Sequence, residues 1–464
     1  MEQRLDFDPD LLRRYDVSGP RYTSYPTAPQ FHEEFGPDAY RRAAAASNQS
    51  TEPRPLSIYV HVPFCRQVCY YCACNRVITA NYARASGYLE RLFQEVALQG
   101  ELFANQRRVE QLHLGGGTPN YLADEDLSAL LRTLREHFNL ETGDHREFSI
   151  EIDPRDVESD TIKRLAELGF NRMSVGVQDF DPKVQEAVNR IQSPELTSSV
   201  IEAGRQHGFR STNMDLIYGL PHQTVETFDA TLDTILELRP ERLAVYSYAH
   251  LPHLFKVQRQ IGEAYLPGPE EKLAILGLTI ERLTAAGYVY IGMDHFALPD
   301  DELARAQKKG HLHRNFQGYS TRAECDLVAL GSTAIGKIGN TYSQNIREPE
   351  AYQERIATGE LAVFRGVELD ADDVLRRDVI TDLMCHSELD FRRVEERHRI
   401  DFREYFADDI ERLRPLVEDG LVTIDSERIQ VLPRGRLLLR HVAMAFDRYL
   451  HRNHDQGQRF SRVI

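Results

Sequence analysis

The spacing of hydrophobic residues switches repeatedly between that of a strand and that of a helix from residue 56 to residue 286. Short apolar runs typical of buried strands occupy residues 56–64, 109–114, 147–152, 172–177, 213–218 and 242–247. Apolar residues at helical spacing predict helices in the intervals, at residues 82–102, 124–138, 160–168, 182–189, 194–207, 227–238 and 270–286. Strands that alternate with helices predict βαβ units and a parallel sheet.

The number of these units and the segments on either side of them indicate the architecture. Six strand–helix units precede residue 288, whereas a complete (β/α)8 barrel needs eight. We therefore predict an α/β fold built on an open, partial (β/α)6 TIM-like barrel. An extended segment at 288–293 and a loop-rich stretch at 299–345 follow it. The predicted domains are an N-terminal arm, the barrel with its extension and a C-terminal domain, at residues 1–54, 55–365 and 366–464.

The C-terminal domain is predicted to be mostly helical. Helical spacing recurs there without intervening strands at residues 374–383, 391–397, 402–417 and 434–449. Residues 421–424 and 429–431 form a candidate hairpin before the last of these helices. This order is winged-helix-like, but the acidic segment 402–417 argues against DNA binding, which needs a basic surface.

Composition and charge exclude several functional classes. The chain has 464 residues, a net charge of −16, 41% hydrophobic residues and 28% charged residues. These values are typical of globular proteins and exclude a disordered or collagen-like chain, and the acidic balance argues against general nucleic-acid binding. The apolar stretch 273–280 is too short to span a membrane, and the charged N-terminus lacks the apolar core of a signal peptide. We expect a cytoplasmic protein with no membrane or nucleic-acid partner.

The cysteines are concentrated in one short segment. Four of the six lie within ten residues, at Cys65, Cys69, Cys72 and Cys74. A disulfide framework spreads its cysteines along the chain, and a closed zinc site usually pairs two CxxC clips across a longer loop. Here a CxxxCxxC spacing directly follows a strand, which suits one face of an iron–sulfur cluster and leaves one iron without a thiolate. A zinc knuckle remains the alternative.

Glycine and polar residues recur where the predicted strands end. A Gly-Gly-Gly-Thr-Pro turn follows the second strand, Glu151 ends the third, and Gln178 and Asp215 are placed at the ends of the fourth and fifth. Ligand sites of α/β folds lie at the carboxyl ends of their parallel strands. The sequence therefore predicts a ligand site at this edge.

Motifs along nearly the whole chain identify a family. The CxxxCxxC segment after the first strand resembles the radical S-adenosylmethionine (SAM) superfamily. The chain also resembles the family of oxygen-independent coproporphyrinogen III oxidases, also called coproporphyrinogen III dehydrogenases. The segments that carry this resemblance are 19–28, 59–74, 113–119, 151–155, 174–180, 215–221, 248–252, 292–296, 313–319 and 460–464.

The resemblance implies a reaction. Cys65, Cys69 and Cys72 would hold a [4Fe–4S] cluster, and SAM would chelate its open iron. Reductive cleavage of SAM would give a 5′-deoxyadenosyl radical that removes a β-hydrogen from a propionate, and loss of CO₂ and one electron would leave a vinyl group. Two propionates react, so coproporphyrinogen III becomes protoporphyrinogen IX in anaerobic haem biosynthesis. The family also implies an electron donor such as a flavodoxin or ferredoxin, and a monomer.

The resemblance further implies two bound SAM molecules. It assigns to the cluster-bound SAM the residues Tyr59, Gly116, Glu151 and Ile335. It assigns to a second SAM the residues Tyr71, Gly117, Thr118, Gln178, Arg190, Asp215 and Ala249. Many family members have phenylalanine where this chain has Tyr71. Cys74 accompanies the cluster in the family without being one of its three ligands.

An acidic protein needs local positive charge to bind a substrate with four propionates. Two basic islands are candidates: Arg13, Arg14 and Arg21 in the arm, and Lys308, Lys309, His311, His313 and Arg314. Arginine binds carboxylates through two parallel hydrogen bonds. Our hypothesis is that the arm and the Arg314–Tyr319 segment bind the tetrapyrrole; a solvated basic surface is the alternative.

Two other functional classes remain open from the sequence. One is a haem-binding chaperone of the same superfamily, although such proteins tend to lack the arm and usually have phenylalanine where this chain has Cys74. The other is a purely structural zinc protein. Turnover of coproporphyrinogen III separates the enzyme from the carrier, and metal analysis separates the cluster from zinc.

Overall fold

The structure is a computed structural model that describes residues 5–322 and 324–452. Its residues form two compact units. The sheet unit comprises residues 30–268 and 324–368, and the helical unit comprises residues 5–29, 269–322 and 369–452. The predicted arm therefore contributes residues to both units. The segment 460–464, which contributes to the family resemblance, lies outside the described residues.

The strands of both units are short. In chain order they are β1 Leu56–Val62, β2 Phe64–Cys65, β3 Val77–Ile78, β4 Arg108–Gly116, β5 Asn139–Leu140, β6 Glu147–Ile152, β7 Arg172–Gln178, β8 Ser211–Tyr218, β9 Arg242–Ser247, β10 Val289–Gly292, β11 His295–Ala297, β12 His313–Asn315, β13 Gly318–Ser320, β14 Asp326–Leu330, β15 Ile335–Ile338, β16 Thr341–Asn345, β17 Val363–Glu368, β18 Glu388–Asp390, β19 Val422–Ile424 and β20 Arg428–Val431.

The helices alternate with the strands in the first half of the chain. They are α1 Pro9–Arg14, α2 Pro37–Asn48, α3 Ala83–Gly100, α4 Asp124–His137, α5 Thr161–Leu168, α6 Pro182–Ala187, α7 Pro194–Gln206, α8 Val225–Leu238, α9 Pro269–Ala285, α10 Glu302–Lys309, α11 Pro349–Ala357, α12 Ala371–His386, α13 Phe391–His398, α14 Phe402–Tyr405, α15 Ala407–Arg412, α16 Arg414–Glu418, α17 Leu439–Ala445 and α18 Arg448–Arg452. Short 3-10 helices lie at Ala28–Gln30, Pro119–Tyr121, Pro154–Asp156, Lys256–Gln260, Glu263–Tyr265 and Pro433–Leu438.

The sheet unit contains one large sheet with the strand order β9-β8-β7-β6-β4-β1-β14-β15-β16-β17. The six predicted strands are all present, and each is parallel to its neighbour. This confirms the α/β class with a parallel sheet. The curvature of these strands into a partial barrel and the winged-helix-like arrangement of the C-terminal domain stay predictions.

The central strands form because their sequences are apolar on both faces. In β1, six of the seven residues are buried, which is typical of a parallel strand covered on both sides. Helix α4 covers the sheet with an apolar stripe and begins with three acidic residues, which favour the positive end of the helix dipole. Its buried residues are Leu127, Leu130, Leu131 and Leu134. Periodicity therefore predicts this part of the chain correctly.

Residues 326–345 were predicted as part of a loop-rich stretch, and this prediction was wrong. The strand β14 is parallel to β1, and β15 to β17 continue the sheet in antiparallel order. In β16 all five residues are buried although most are polar, so the sequence lacks the alternation that marks a strand. The buried acid Asp326 begins β14 and is paired with Arg107 at 2.6 Å.

Two helices predicted in the C-terminal domain are broken into shorter pieces. Residues 402–417 form α14, α15 and α16, because Phe406 departs from helical dihedral angles and Pro415 has no N–H to donate. Buried Phe406 packs against Phe402 with ring centroids 4.8 Å apart. Residues 434–449 begin as a 3-10 helix before α17. The predicted hairpin is β19–β20, with β18 added on its other side.

Among the described residues, none of the helices combines the length and apolar character that crossing a membrane requires.

A buried carboxyl group joins four elements of the sheet unit. Glu95 of α3 has no exposed surface and accepts hydrogen bonds from Gly331 N at 2.6 Å, Asn345 Nδ2 at 2.7 Å and Tyr352 Oη at 2.7 Å. Burial raises its pKa to about 7, although these three donors oppose the shift. The group is therefore protonated in the folded protein at pH values where it is ionised in the unfolded chain.

This raised pKa predicts a pH dependence of stability. An acid whose pKa is higher in the folded state loses stabilisation as pH rises from its unfolded pKa of 4.5 to its folded pKa of about 7. Glu95→Gln removes this titration, so the stability of the wild type relative to the variant should fall by roughly 3 kcal/mol across that window. Chemical denaturation at several pH values measures it, with exposed Glu101→Gln as the control. Parallel profiles for Glu95→Gln and the wild type would contradict the prediction.

Candidate active site

The candidate site begins with residues 65–74, which we call the cysteine loop. Cys65 lies in β2, directly after β1, and Cys69, Cys72 and Cys74 follow it. All of these thiols are free; Cys69 is buried and Cys74 is exposed. One short loop therefore carries the four thiols, as the sequence predicted.

The cysteine loop is held against the segment that follows α6. Asn189 Nδ2 donates to Val68 O at 2.8 Å, and Tyr70 N donates to Val188 O at 2.9 Å. The rings of Tyr70 and Tyr71 pack on a small apolar cluster made of Val184, Val188, Leu220, Tyr248 and Ile261. These contacts fix the loop before any ligand binds to it.

Two of the sulfur atoms accept hydrogen bonds from neighbouring turns. Thr118 Oγ1 donates to Cys65 Sγ at 3.3 Å, and the backbone N of Cys74 donates to Cys72 Sγ at 3.5 Å. A hydrogen bond from the Cys74 thiol lowers the pKa of Cys72 to about 6 and raises that of Cys74, whereas burial raises the pKa of Cys65 to about 12. Cys74 therefore stabilises the thiolate of Cys72.

Two arginines are directed at the third sulfur atom. Arg155 Nη2 and Arg190 Nη1 lie 3.5 and 3.6 Å from Cys69 Sγ. Both also bind Asp153 Oδ2, at 2.7 and 3.0 Å. Burial raises the pKa of Asp153, but Arg190 and Arg155 outweigh it and lower the pKa to about 2. Guanidinium donors of this kind stabilise a thiolate. They also stabilise the negative charge of a metal group that is bound to the thiolate.

The spacing of the thiols can be compared with that of a single tetrahedral metal site. In a tetrahedral zinc site with Zn–S bonds of about 2.3 Å, the sulfur atoms lie about 3.8 Å apart. Among the described residues, Cys65, Cys69 and Cys72 do not bring their sulfur atoms within 4.8 Å of one another. The three thiols are therefore not gathered into a compact set around one position in this structure.

The glycine turn after β4 allows the cysteine loop to pack against it. Val62 of β1 pairs with Gly116 of β4, and Gly117 N donates to Val62 O at 2.8 Å. Gly116 has φ +118°, and a Cβ there would lie 2.5 Å from the ring of His61. A Cβ on Gly117 would lie 2.7 Å from the carbonyl carbon of Pro63. Both positions therefore require glycine.

Glu151 is fixed at the edge of the sheet, close to this turn. Its Oε2 accepts from Gly116 N at 3.0 Å, and its Oε1 lies 3.3 Å from His113 Nε2. Burial acts to raise the pKa of Glu151, but the hydrogen bonds from His113 and Gly116 lower it below its usual value. His113 stacks on Tyr59 with ring centroids 5.8 Å apart. The glycine turn, Glu151 and Tyr59 are therefore brought together.

The sequence analysis missed the histidines that organise this group. His61 Nδ1 lies 3.1 Å from Tyr59 Oη, and His61 Nε2 lies 3.1 Å from Asn75 O, in the segment that follows the cysteine loop. Tyr59 and His61 are two residues apart on β1, and His113 is the register partner of Tyr59 on β4. Polar residues at alternate positions of otherwise apolar strands were the available signal.

A second polar group surrounds Asp215. Asp215 accepts from Ser174 Oγ at 3.0 Å and from Asn213 Nδ2 at 2.8 Å. Burial and the charge of Glu151 raise its pKa to about 6. Asp215 was expected at the end of its strand, but it lies three residues before the end of β8, opposite Gly176 of β7. The strand ends at residue 218, as its apolar run predicted, so Asp215 lies within the strand and not at its end.

The remaining predicted residues lie around this group. Gln178 ends β7 with φ +72°, a strained conformation for a residue with a side chain. Arg190 Nη2 donates to Gly176 O at 2.6 Å. Gln258 Nε2 donates to the backbone oxygens of Tyr71 at 3.0 Å and of Ala249 at 3.3 Å, so one buried side chain joins these two predicted residues.

Ile335 lies further along the sheet than the other predicted residues. It begins β15, where it pairs with Gln344 of β16. The sheet order places β14 between β15 and β1.

The close packing at Gly117 predicts a loss of stability on substitution. Gly117→Ala should lower the free energy of unfolding by about 1–3 kcal/mol, because the added Cβ overlaps the backbone of Pro63. Gly268→Ala is the matched control, since nothing lies within 4 Å of a Cβ there. Anaerobic chemical denaturation compares the two variants. An equal loss in both, or no loss in Gly117→Ala, would contradict this account of the turn.

Known proteins match the chain over its whole length. The Radical SAM superfamily model matches residues 59–235, and the HemN C-terminal domain model matches residues 369–438. The oxygen-independent coproporphyrinogen III oxidases of Pseudomonas aeruginosa and Escherichia coli are 51% and 49% identical to the chain. Both matches cover 100% of this chain, and they cover 100% and 99% of the relatives.

A solved structure agrees with these matches. The structure described as coproporphyrinogen III oxidase (HemN) from Escherichia coli, a radical SAM enzyme, superposes with a TM-score of 0.92 at 48% identity. The match covers 96% of this chain and 100% of that structure. The chain belongs to the family of oxygen-independent coproporphyrinogen III oxidases, within the radical SAM superfamily.

Proposed function

We propose that the chain converts coproporphyrinogen III to protoporphyrinogen IX without oxygen, as an oxidoreductase of anaerobic haem biosynthesis. Full-length relatives at about half identity bear the name of this activity. The observation that carries the proposal is the cysteine loop, whose three free thiols lie beside the glycine turn and Glu151. For each vinyl group, one propionate loses CO₂, a hydrogen atom and one electron, and the electron passes to an external one-electron acceptor. One SAM takes up that hydrogen atom and one electron from the donor, which gives methionine and 5′-deoxyadenosine.

Cys65, Cys69 and Cys72 are the residues that would hold a [4Fe–4S] cluster. The donors directed at their sulfur atoms fit this group, because they stabilise thiolates and the charge of a bound cluster. When bound, the cluster and SAM supply removal of a hydrogen atom from carbon, chemistry that amino-acid side chains alone do not provide. The chain contributes the thiolates, the positive charge of Arg155 and Arg190, and a turn that keeps the loop in place.

Tyr59, Gly116, Glu151 and Ile335 are proposed to position the SAM molecule that reacts. Glu151 stays ionised because His113 and Gly116 donate to it, so it accepts hydrogen bonds from ribose hydroxyl groups. The stacked ring of His113 supports Tyr59 on the neighbouring strand. His61 and His113 are therefore positioning residues for this half of the site.

A second SAM molecule is proposed for the polar group around Asp215. Asp215, Arg190 and Gln178 supply a carboxylate, a guanidinium and an amide, which match the charged ends of an amino acid and a ribose. Gln258 donates to the backbone oxygens of Tyr71 and Ala249, which are two further proposed contacts of this SAM. The other proposed contacts are Gly117 and Thr118.

The reaction also requires partners and a compartment. We propose a flavodoxin or ferredoxin as the electron donor, because each SAM consumes one electron. We also propose that the protein acts as a monomer in the cytoplasm, as the family resemblance implies.

The cluster proposal predicts different outcomes for cysteines inside and outside the loop. Cys65→Ala, Cys69→Ala and Cys72→Ala should each reduce bound iron from about four atoms per chain to near zero after anaerobic reconstitution, and abolish formation of protoporphyrinogen IX. Cys325→Ala, which removes a buried thiol elsewhere, should keep both. Iron and sulfide analysis with an anaerobic turnover assay measures this. A zinc-loaded wild type, or an active Cys69→Ala variant, would refute the proposal.

The second SAM predicts a stoichiometry. Anaerobic equilibrium dialysis of the cluster-loaded wild type should find about two SAM molecules per chain, because the two polar groups have separate donors and acceptors. Asp215→Ala should reduce this to about one without loss of iron, whereas Asp160→Ala, at an exposed position, should leave two. One SAM per chain in the wild type would exclude a second binding site.

A further inference from the structure

Most residues of the two predicted basic islands in the helical unit are either ion-paired with a carboxylate or exposed to solvent. Arg13 binds Asp10 at 2.6 Å and also pairs with Glu270, and Arg14 pairs with Asp419. Lys308, Lys309 and His311 are exposed at the end of α10. These residues form an ordinary solvated surface. Arg21 and Arg314 differ from these residues, because Arg314 Nε donates a hydrogen bond to the backbone oxygen of Arg21.

Arg314 is a buried cation that forms no hydrogen bond or ion pair with a carboxylate among the described residues. Only 6% of its surface is exposed, and within the described part of the chain its one hydrogen bond runs from Nε to Arg21 O at 3.3 Å. Its guanidinium lies over the ring of Tyr319, 4.7 Å from the centroid. Its Nη1 is buried and has no hydrogen-bond partner among the described residues. Burying a positive charge without hydrogen-bond acceptors costs free energy, unless a bound ligand supplies the missing acceptors.

Another buried arginine shows what a completed site looks like. Arg107, at 3% exposure, binds Asp326 at 2.6 Å, Asn48 Oδ1 at 3.1 Å and Arg54 O at 2.8 Å. Arg107 therefore satisfies its charge within the protein. Within residues 5–322 and 324–452, Arg314 satisfies only one of its five N–H groups in this way.

The same hairpin carries a second buried donor without a partner. Gln317 Nε2 has no hydrogen-bond partner among the described residues, and it lies in the turn between β12 and β13, three residues after Arg314. Guanidinium and amide N–H groups only donate, so both require an acceptor. The group that best completes two such donors, one of them charged, is a carboxylate.

The surroundings of Arg314 are built tightly. The Tyr319 hydroxyl donates to Met384 O at 3.1 Å, and a Cβ on Gly292 would lie 2.3 Å from that hydroxyl oxygen. Gly292 has φ +148°, and the next residue, Met293, has φ +51°. A left-handed backbone conformation is strained at a residue that has a side chain. Residues in such conformations cluster at functional sites. The ring on which Arg314 lies is therefore held in one place.

The arm reaches the same place through Arg21. Arg21 forms an ion pair with Asp294, and the following residue, Tyr22, has φ +46°. Arg440 donates from Nε to Pro20 O at 3.0 Å and so holds the arm in position. Arg21 and Arg314 both act to lower the pKa of Asp294. The carboxylate of Asp294 is thus committed to Arg21, which leaves Arg314 to a ligand.

We propose that the β12–β13 hairpin is a binding site for a propionate carboxylate of the tetrapyrrole, with Arg314 and Gln317 as its donors. The ligand class rests on the proposed function, whose substrate carries four propionates. The two unpartnered donor atoms are shielded from water, so the carboxylate reaches them when the turn between β12 and β13 moves while Tyr319 stays in place. A two-stranded hairpin is weakly held on its own, and its turn residues are half-buried.

The test measures binding separately from turnover. Coproporphyrin III, the oxidised and fluorescent form of the substrate, keeps all four propionates and does not react. Its Kd for the cluster-loaded enzyme should rise about 10- to 100-fold in Arg314→Gln, because a charge-assisted hydrogen bond is lost. The KM for coproporphyrinogen III should rise similarly with little change in kcat, and Arg314→Lys should recover part of the affinity.

Two further variants keep the test decisive. Gln317→Glu places a carboxylate on the hairpin and should weaken coproporphyrin III binding by repulsion even if Arg314→Gln folds poorly. Arg13→Gln removes one exposed positive charge from the arm and should leave Kd and KM unchanged. Iron content and thermal stability of each variant are measured alongside, because a merely structural role would lower these and kcat together.

The possible outcomes test the proposed propionate site and the proposed activity separately. A Kd for coproporphyrin III within twofold of wild type in both Arg314→Gln and Gln317→Glu would overturn the site, whatever the turnover. If the wild type binds coproporphyrin III through Arg314 but does not convert coproporphyrinogen III, the site stands and the proposed activity fails.

Discussion

The close approach of two parallel strands, β1 and β4, determines the geometry of the site. Both strands are central in the sheet and end at the same edge, where Val62 pairs with Gly116. The cysteine loop leaves β1 at this point and the glycine turn leaves β4. The two backbones touch because neither Gly116 nor Gly117 has a side chain. The relation between the thiols, the turn and Glu151 is therefore built into the packing of the sheet.

Local positive charge is the second constraint on an acidic protein. The net charge of −16 gives no general attraction for an anionic substrate or a negatively charged cluster. Arg155 and Arg190 are held toward Cys69 by Asp153, which uses one carboxylate to orient two cations. Arg314 is held by stacking on Tyr319, and no carboxylate among the described residues is hydrogen-bonded to it. The first arrangement suits an anionic group that stays bound, such as a cluster. The second suits an anionic ligand that binds reversibly.

Features with a local sequence signal could be predicted from the sequence. Features that depend on burial by residues distant in the chain could not. The parallel strands and the cysteine loop follow from periodicity and from spacing within a few residues. The strand β16 was missed because its polar residues are buried by tertiary packing, and His113 was missed because its role depends on Tyr59 of the neighbouring strand. The isolation of Arg314 is equally a tertiary property, since the sequence shows only one basic residue among several.

The most direct test of the central claim is the product balance of the anaerobic reaction. The cluster-loaded protein is supplied with reductant, SAM and coproporphyrinogen III, and protoporphyrinogen IX and 5′-deoxyadenosine are quantified together. The account predicts two molecules of 5′-deoxyadenosine for each molecule of protoporphyrinogen IX, one for each propionate that becomes a vinyl group. Tight haem binding with no protoporphyrinogen IX formed would contradict it and would identify a carrier of the same superfamily.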